Sequence, residues 1–599
     1  MNKLILTLFI LIILTFQNAV SQDAADSTEY EIDEVVISAT RTEQKLIDIP
    51  FSVQRVDQSQ WKSTRKMGMN DVLSNIPGLW LQPRYGNHDV RVSIRGFGTR
   101  SNTGIRGVRI LLDGIPESEP DGQTRLEALD FTAISKIEVV KGNMTSLYTN
   151  APGGVINFFT DKYFPRPFVL SDNEFGSYDL RKNGLKFGLT SNDERFMATY
   201  SYENYNGYRY HSQEYQSRFN SIYEADLNPV STISLYGYYV NGLIKLPGSL
   251  TLAQFNENYL QANPRDASRD SKRISNKGRL GITYNTKFGK NYNNFLEVTG
   301  YGTIKDLSRT AATYRIFTRY GVGSNFRYIN QTKIGGQDNE FSVGGDFYYQ
   351  TGPINEFNNI GGIRGDELQA ITDETISNVG FYFTEQYYLY KDYLSLLITG
   401  RYDRVNVAAS NLLAGFQDTS RLFDEFTPKF AINYKFNPSM SVFGSFGWGF
   451  DTPANNELDN FPFSSDGGLK LINPDLQPQN TVSYELGYKG EIINKRSNIF
   501  PTTFIELSIF DTKIDNAIVP FTVDGNVFFR NAAVVKRTGV EFGVNSQITT
   551  GLNLKAAYTY SNFRYGDYIS RSIDATGTIV DEDYSGNKEP SNPDNNFSA

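Results

Sequence analysis

Residues able to carry out bond-making chemistry are scarce in this chain. Among 599 residues there are two histidines, His88 and His211, and no cysteine, which excludes disulfides, thiolate nucleophiles and thiolate metal sites. No HExxH, GxSxG or phosphate-loop pattern occurs. The Gly-rich pieces Arg95-Gly96-Phe97-Gly98 and Pro152-Gly153-Gly154 lack the strand-then-helix setting with a lysine that a phosphate cradle needs, so they read as tight turns. What remains is the chemistry of recognition. Residues 83–88 and 97–104 carry Arg84, Tyr85, His88, Phe97, Arg100 and Asn102, and Arg106 follows closely. Guanidinium groups bind carboxylates through paired hydrogen bonds, and aromatic rings offer a face to a planar or apolar ligand. That combination suits an anionic metal chelate. The expectation is a binding protein that needs no cofactor or resident metal and is not an enzyme.

The elements that must position these groups fall into four stretches. Residues 1–21 read as an export signal, with Lys3, an apolar run over 4–16 and the small residues Ala19-Val20-Ser21. Residues 22–48 form a leader. Residues 49–162 read as a mixed α+β domain: a strand over 51–56, a helical turn over 71–75 closed by Pro77-Gly78, strands over 90–94, 109–111 and 136–140, and a second helix-like piece over 125–129. From 163 to 599 the pattern alternates with period two. In 481–489, Val482, Tyr484, Leu486 and Tyr488 share one face, while Ser483, Glu485, Gly487 and Lys489 share the other; Leu552, Leu554, Ala556, Tyr558 and Tyr560 likewise oppose Asn553, Lys555, Ala557 and Thr559. About sixteen such segments are expected, separated in turn by short turns and by long polar stretches such as 248–275.

A closed barrel needs only one apolar face per strand, so a mean hydropathy of -0.41 is compatible with a membrane. The 38 Tyr and 42 Phe supply lipid-facing and interfacial rings. Net charge of -8 carries no basic footprint for nucleic acid. A bacterial envelope is therefore the expected compartment, and outer-membrane lipid is not excluded as its surroundings.

Between Ile76 and Phe159 the chain runs through IPG, VSIRGFG, RILLDGIP, SKIEVVKG and PGGVINFF in that order. This run closely resembles the plug domain of the TonB-dependent outer-membrane receptors of Gram-negative bacteria. The resemblance implies a transmembrane antiparallel β-barrel filled by an N-terminal α+β plug. Barrels of this family have about 22 strands, so with about sixteen counted the chain is expected to be C-terminally incomplete by about six. Residues 31–41 look like the TonB box, with Asp33, Glu34, Val35, Val36, Ile37, Ser38 and Ala39 able to add as an edge strand to TonB. By motif match, Arg95 of IRG and Lys141 of VVKG correspond to a basic plug pair that meets Glu485 of YELG and Glu541 of GVEFG on the wall; strand alternation independently turns Glu485 inward.

Residues 246–251 and Asn263-Pro264-Arg265-Asp266 resemble a stretch of ferric-citrate-type receptors, and 473–478 a family loop. The short interval before the TonB box implies transport without transcriptional signalling. The function implied is import of a scarce extracellular ligand, foremost a ferric siderophore or citrate-like chelate, driven by TonB and its inner-membrane energising complex. The alternatives are an importer of cobalamin or a glycan, or a passive porin or adhesin, which would need neither plug nor TonB box.

Overall fold

The computed structural model describes residues 36–37, 40–62, 64–98, 104–390, 393–413, 417–458, 472–494, 499–523, 526–573 and 579–599. The expected signal peptide lies outside them. So do Asp33, Glu34, Val35, Ser38 and Ala39 of the TonB box, and Arg100 and Asn102.

The plug begins with a short antiparallel ladder of β1 (Val36–Ile37) and β2 (Gln44–Lys45). Its main sheet joins β3 (Val53–Asp57), β6 (Val108–Leu112), β7 (Ile115–Pro116), β8 (Ile134–Lys141) and β9 (Gly154–Thr160) in the order β3-β8-β9-β6-β7. Only β6 and β9 run parallel. The hairpin β4 (Leu79–Tyr85) and β5 (Asp89–Ile94) stands apart, next to the one-turn helix α1 (Met69–Leu73), whose Gly68 and Met67 amides are accepted by the Asp71 carboxylate. Leu73, Val92, Ile94, Val108, Ile110 and Phe158 are fully buried in a single core, and Trp61, Phe131 and Phe158 meet edge to face. The expected helix over 125–129 is absent: the segment is irregular, its backbone bent by a turn in which the Leu129 amide donates to the Leu126 carbonyl. The Glu127 carbonyl accepts from Arg218 of the wall at 3.0 Å instead of from a helical amide.

Around the plug lies one antiparallel meander from β10 (Phe168–Gly176) to β26 (Leu552–Ile573), followed by β27 (Ile579–Asp583) and β28 (Asn595–Ser598). The sheet has 19 strands as elements, and β27 and β28 pair in succession with different stretches of β26, so they share one lane. This exceeds the sixteen segments legible as alternation. Among the described residues no ladder joins β10 to the last lane.

Alternation works as elementary strand geometry requires. On β23 (Gln479–Ile493), Leu486 is 62% exposed on the outer face while Glu485 is 8% exposed on the inner one. Leu552, Leu554, Tyr558 and Tyr560 of β26 are exposed outward, with Ala557 and Thr559 buried inward.

Turns such as 335–336 and 438–439 mark one end of the sheet and the long connections 246–271 and 452–478 the other. At that second end several connections are short, as at 311–312 and 361–362, because the strands themselves continue. β19 (Ile363–Leu389) has 27 residues, against the roughly ten that cross a membrane. Its outer half, with β18 (Gln337–Ile360), is rich in Asn, Asp and Glu, so the paired ladder rises above the bilayer as a hairpin. In the 246–271 connection, α2 (Leu252–Glu257) is closed by a Thr251–Gln254 capping box and α3 (Pro264–Ser268) by Asn263.

A charge on the lipid face should be costly. Leu486→Arg is expected to destabilise the barrel by about 2–4 kcal/mol, read as a lower urea midpoint in bilayers, whereas Ser483→Thr on the inner face should leave it unchanged.

Candidate functional site

Three groups of contacts define how plug meets wall. The central one contains the four residues that the sequence pairs. Arg95 lies in the turn after β5 with φ of 50° and its Nη2 reaches Glu485 Oε1 at 2.6 Å, while Nε and Nη2 reach the two oxygens of Glu541 at 2.8 and 3.0 Å. The Lys141 ammonium lies 3.0 Å from Glu541 Oε2 and 3.4 Å from Glu506 Oε1, and donates to the Pro77 carbonyl at 3.0 Å. Burial alone would pull the pKa of both cations down; the facing carboxylates outweigh it and hold both above their ordinary values.

Ser52 donates to Glu485 at 2.6 Å, Ser508 donates to Glu541 at 3.0 Å, and the Arg95 guanidinium lies 4.4 Å from the Phe510 ring centre. Glu506 is a third wall carboxylate, which the family motifs do not single out. Alternation could have found it, since Glu506 and Ser508 share the inward parity of β24 (Thr502–Val523).

This cluster also explains two motif glycines. A Cβ on Gly78, which has φ of 79°, would stand 2.0 Å from Glu541 Oε1, and one on Gly142, with φ of 84°, 2.8 Å from Arg95 Nη1. The glycines of IPG and VVKG leave room for the ion pairs as well as permitting the turn.

The second group lies toward the short-turn end and grips residues 41–49, the chain that follows the expected TonB box. Lys489 donates to the carbonyls of Leu46 and Ile49 at 3.0 and 2.7 Å, Asn433 and Ser441 both donate to Ile47, and Lys435 pairs with Asp48 at 2.7 Å. Arg41 contacts both oxygens of Asp346, at 3.0 and 2.9 Å, between the rings of Tyr148 and Tyr382. Val36 and Ile37, the described part of the box, pair with Gln44 and Lys45 of their own chain.

The third group is the outer face of the plug. Arg84 and Tyr85 are half-buried there, with the guanidinium 5.5 Å from the ring centre. Three other residues expected to face a ligand are engaged by the surrounding protein, although His88 also lines the outward pocket. His88 is wedged between Glu214 and Gln216. Phe97 lies under the Arg537 guanidinium at 4.5 Å. Arg106 bonds to the Asp121 carbonyl at 2.8 Å, to Asp451 at 3.1 Å and to the Thr452 carbonyl.

In their place the structure gathers arginines that the loops alone did not reveal. Arg84, Arg91, Arg125 and Arg273 line one pocket with His88, Asp89 and Glu127; Arg273 pairs with Asp89, and Arg309 lies within electrostatic reach of Arg125 and Arg273. Desolvation and then Arg84 press the Arg91 pKa below the usual arginine value, as desolvation and then Arg273 do for Arg125. The arginines outnumber the carboxylates, so the pocket holds surplus positive charge. His211, the other histidine, accepts no such role: its Nε2 bonds to the Ser271 carbonyl at 3.0 Å.

Residues 45–155 match the family model described as TonB-dependent Receptor Plug Domain, and residues 251–599 match the one described as TonB dependent receptor-like, beta-barrel. The chain belongs to the TonB-dependent receptors. It is a protein of the Gram-negative outer membrane, and its long-connection end faces outward.

Among curated relatives, the vitamin B12 transporter BtuB of Vibrio vulnificus (strain CMCP6) is 23% identical over 94% of this chain and 86% of its own length. The iron-regulated outer membrane virulence protein of Vibrio cholerae (classical Ogawa strain) is 22% identical over 93% and 81%. Among solved structures, BauA, the ferric preacinetobactin receptor from Acinetobacter baumannii, superposes with a TM-score of 0.72 at 13% identity, over 94% of this chain and 84% of that one. The unliganded ferric citrate transporter FecA does so with 0.71 at 16%, over 87% and 79%. Likeness at this distance fixes the fold and leaves the ligand open.

Two measurements probe these contacts. Glu541→Gln leaves Arg95 and Lys141 short of negative charge and should cost about 3–5 kcal/mol of plug docking, and Gly78→Ala should weaken docking in the same direction without changing any charge. With no native cysteine, a single introduced plug cysteine reports both through its labelling rate in urea. For His88, burial lowers the pKa, but the charge and hydrogen bond of Glu214 outweigh it and raise the net value above 6.5, with Arg218 opposing and Glu127 assisting. The stabilisation is therefore complete below pH 6.5 and lost as pH rises through the raised value. Thermal melts from pH 6 to 9 should fall further for the native protein than for His88→Gln.

Proposed function

We propose that this receptor imports an anionic iron chelate of the siderophore or citrate type, without chemical change to the ligand. The supporting observation is the surplus of guanidinium groups around the outward pocket of Arg84, Arg91, Arg125 and Arg273. Charge-assisted hydrogen bonds from arginine are worth about 1.5–3 kcal/mol each where water is excluded. A neutral glycan would do nothing to offset the pocket's excess of arginines over carboxylates, and a porin would have no use for a plug that closes its lumen.

Energy enters from the opposite face. TonB would add a strand to the TonB box and pull on the chain through Arg41 and residues 46–49, where the wall now holds it. The short β1-β2 ladder must yield or accept a third strand for this to happen. Because ligand and TonB act on one plug, occupancy of the outer pocket and release of the box are linked, and each must favour the other by the same free energy.

Binding assays on the full-length receptor test the ligand class. Ferric citrate or an anionic siderophore should bind, and Arg125→Gln should weaken binding about tenfold or more. Tight binding of cyanocobalamin, unaffected by Arg125→Gln, would replace this reading with the cobalamin one suggested by the Vibrio vulnificus relative.

A further inference from the structure

Between plug and wall, away from both the outward pocket and the Arg95 cluster, lies a small cavity lined by the charged Arg41, Arg109 and Asp346, by Ser324, Asn325 and Asn378, and by the rings of Tyr301 and Tyr348. Arg109 belongs to the RILLDGIP run and sits on β6, 7% exposed. Among the described residues its Nη1 has no hydrogen-bond partner, and neither has Asn378 Nδ2, which lines the same cavity. Both unpartnered groups are donors.

The nearby charges do not balance. Arg41, Arg109 and Arg401 face two carboxylates, Asp346 and Asp403. Asp346 is already shared between Arg41, at 2.9 Å, and Arg401, at 2.7 Å, while Asp403 closes on the other side of Arg401 at 2.8 Å and accepts from Thr149 at 2.5 Å. Arg109 makes no ion pair among the described residues. Burial presses its pKa down and the nearby Asp346, already shared by two other arginines, does not make up the difference, yet a guanidinium does not give up its proton in a protein. A buried, unpaired charge is among the most costly arrangements a protein can hold.

We propose that this cavity is a resident site for one small monovalent inorganic anion, of chloride size, bound by Arg109 and Asn378. The cavity volume of about 20 Å³ accommodates a single water-sized body and excludes any chelate. Ser324 and Asn325 add further polar groups to the lining. The rings of Tyr301 and Tyr348, 5.4 Å apart and edge to face, wall the site. The anion supplies the negative charge that Asp346 cannot, and so joins β6 of the plug to the wall independently of what the receptor imports.

The test uses the detergent-solubilised full chain. Crystals grown in bromide should show an anomalous peak beside the Arg109 guanidinium. At constant ionic strength, replacing gluconate by chloride should raise Tm by about 2 °C through preferential binding to the folded state. Arg109→Met should abolish that rise, whereas Arg84→Gln in the outward pocket should keep it. A bromide map empty at Arg109 overturns the proposal, as does a native Tm indifferent to chloride. If Arg109→Met does not fold, the bromide map and the native chloride titration still decide.

Discussion

Everything in this receptor depends on a constraint of solvation: a polar globule seated inside a barrel loses water on nearly every side, so its charges must find partners in the wall. The Arg95 cluster is where this is most severe. One guanidinium meets two carboxylates, one of those carboxylates also serves Lys141, and Lys141 reaches a third. Such a network contributes little net stability compared with apolar packing, but removing any member strands its neighbours. Its value is positional. It holds the plug in one register, while water entering around it could resolvate each charge, which is the behaviour wanted of a stopper that must stay seated and still be movable.

The same constraint divides the plug into zones with different tasks. Toward the short-turn end the wall grips backbone carbonyls at 46, 47 and 49 and the Arg41 side chain, so the chain is anchored where it enters the lumen. Toward the outside, His88, Phe97 and Arg106 serve as struts against the wall. The arginines left around the outer pocket have too few carboxylates, and it is this local surplus, rather than the overall acidity of the chain, that a ligand would meet.

Much of this was legible as pattern. Strand alternation turned Glu485 inward and Leu486 outward, because the period of a strand leaves no other choice once one face meets lipid. The same rule had placed Lys489 on the inner face, and it would have reached Glu506. It could not say that Lys489 binds carbonyls of residues 46 and 49, since nothing local encodes a contact spanning most of the chain. The helix expected over 125–129 failed for a related reason: its residues are held by neighbours distant in sequence, and such contacts override a weak local preference.

The amino-acid sequence by itself determined the family, the division into plug and barrel, the inward parity of the wall carboxylates and the identity of the plug cations. These follow from motif order and from a two-residue repeat, both properties of neighbouring residues. Only the tertiary structure decided which arginines gather at the outward pocket and which are absorbed between plug and wall. Arg84 and Arg106 are close in the chain and alike in chemistry, yet one lines the outward pocket and the other is consumed by Asp121, Asp451 and Thr452. Arg91, Arg125 and Arg273, far apart in the chain, converge on that same pocket. A charge becomes available or spent according to what folding brings within hydrogen-bond reach, and that distance exists only in three dimensions.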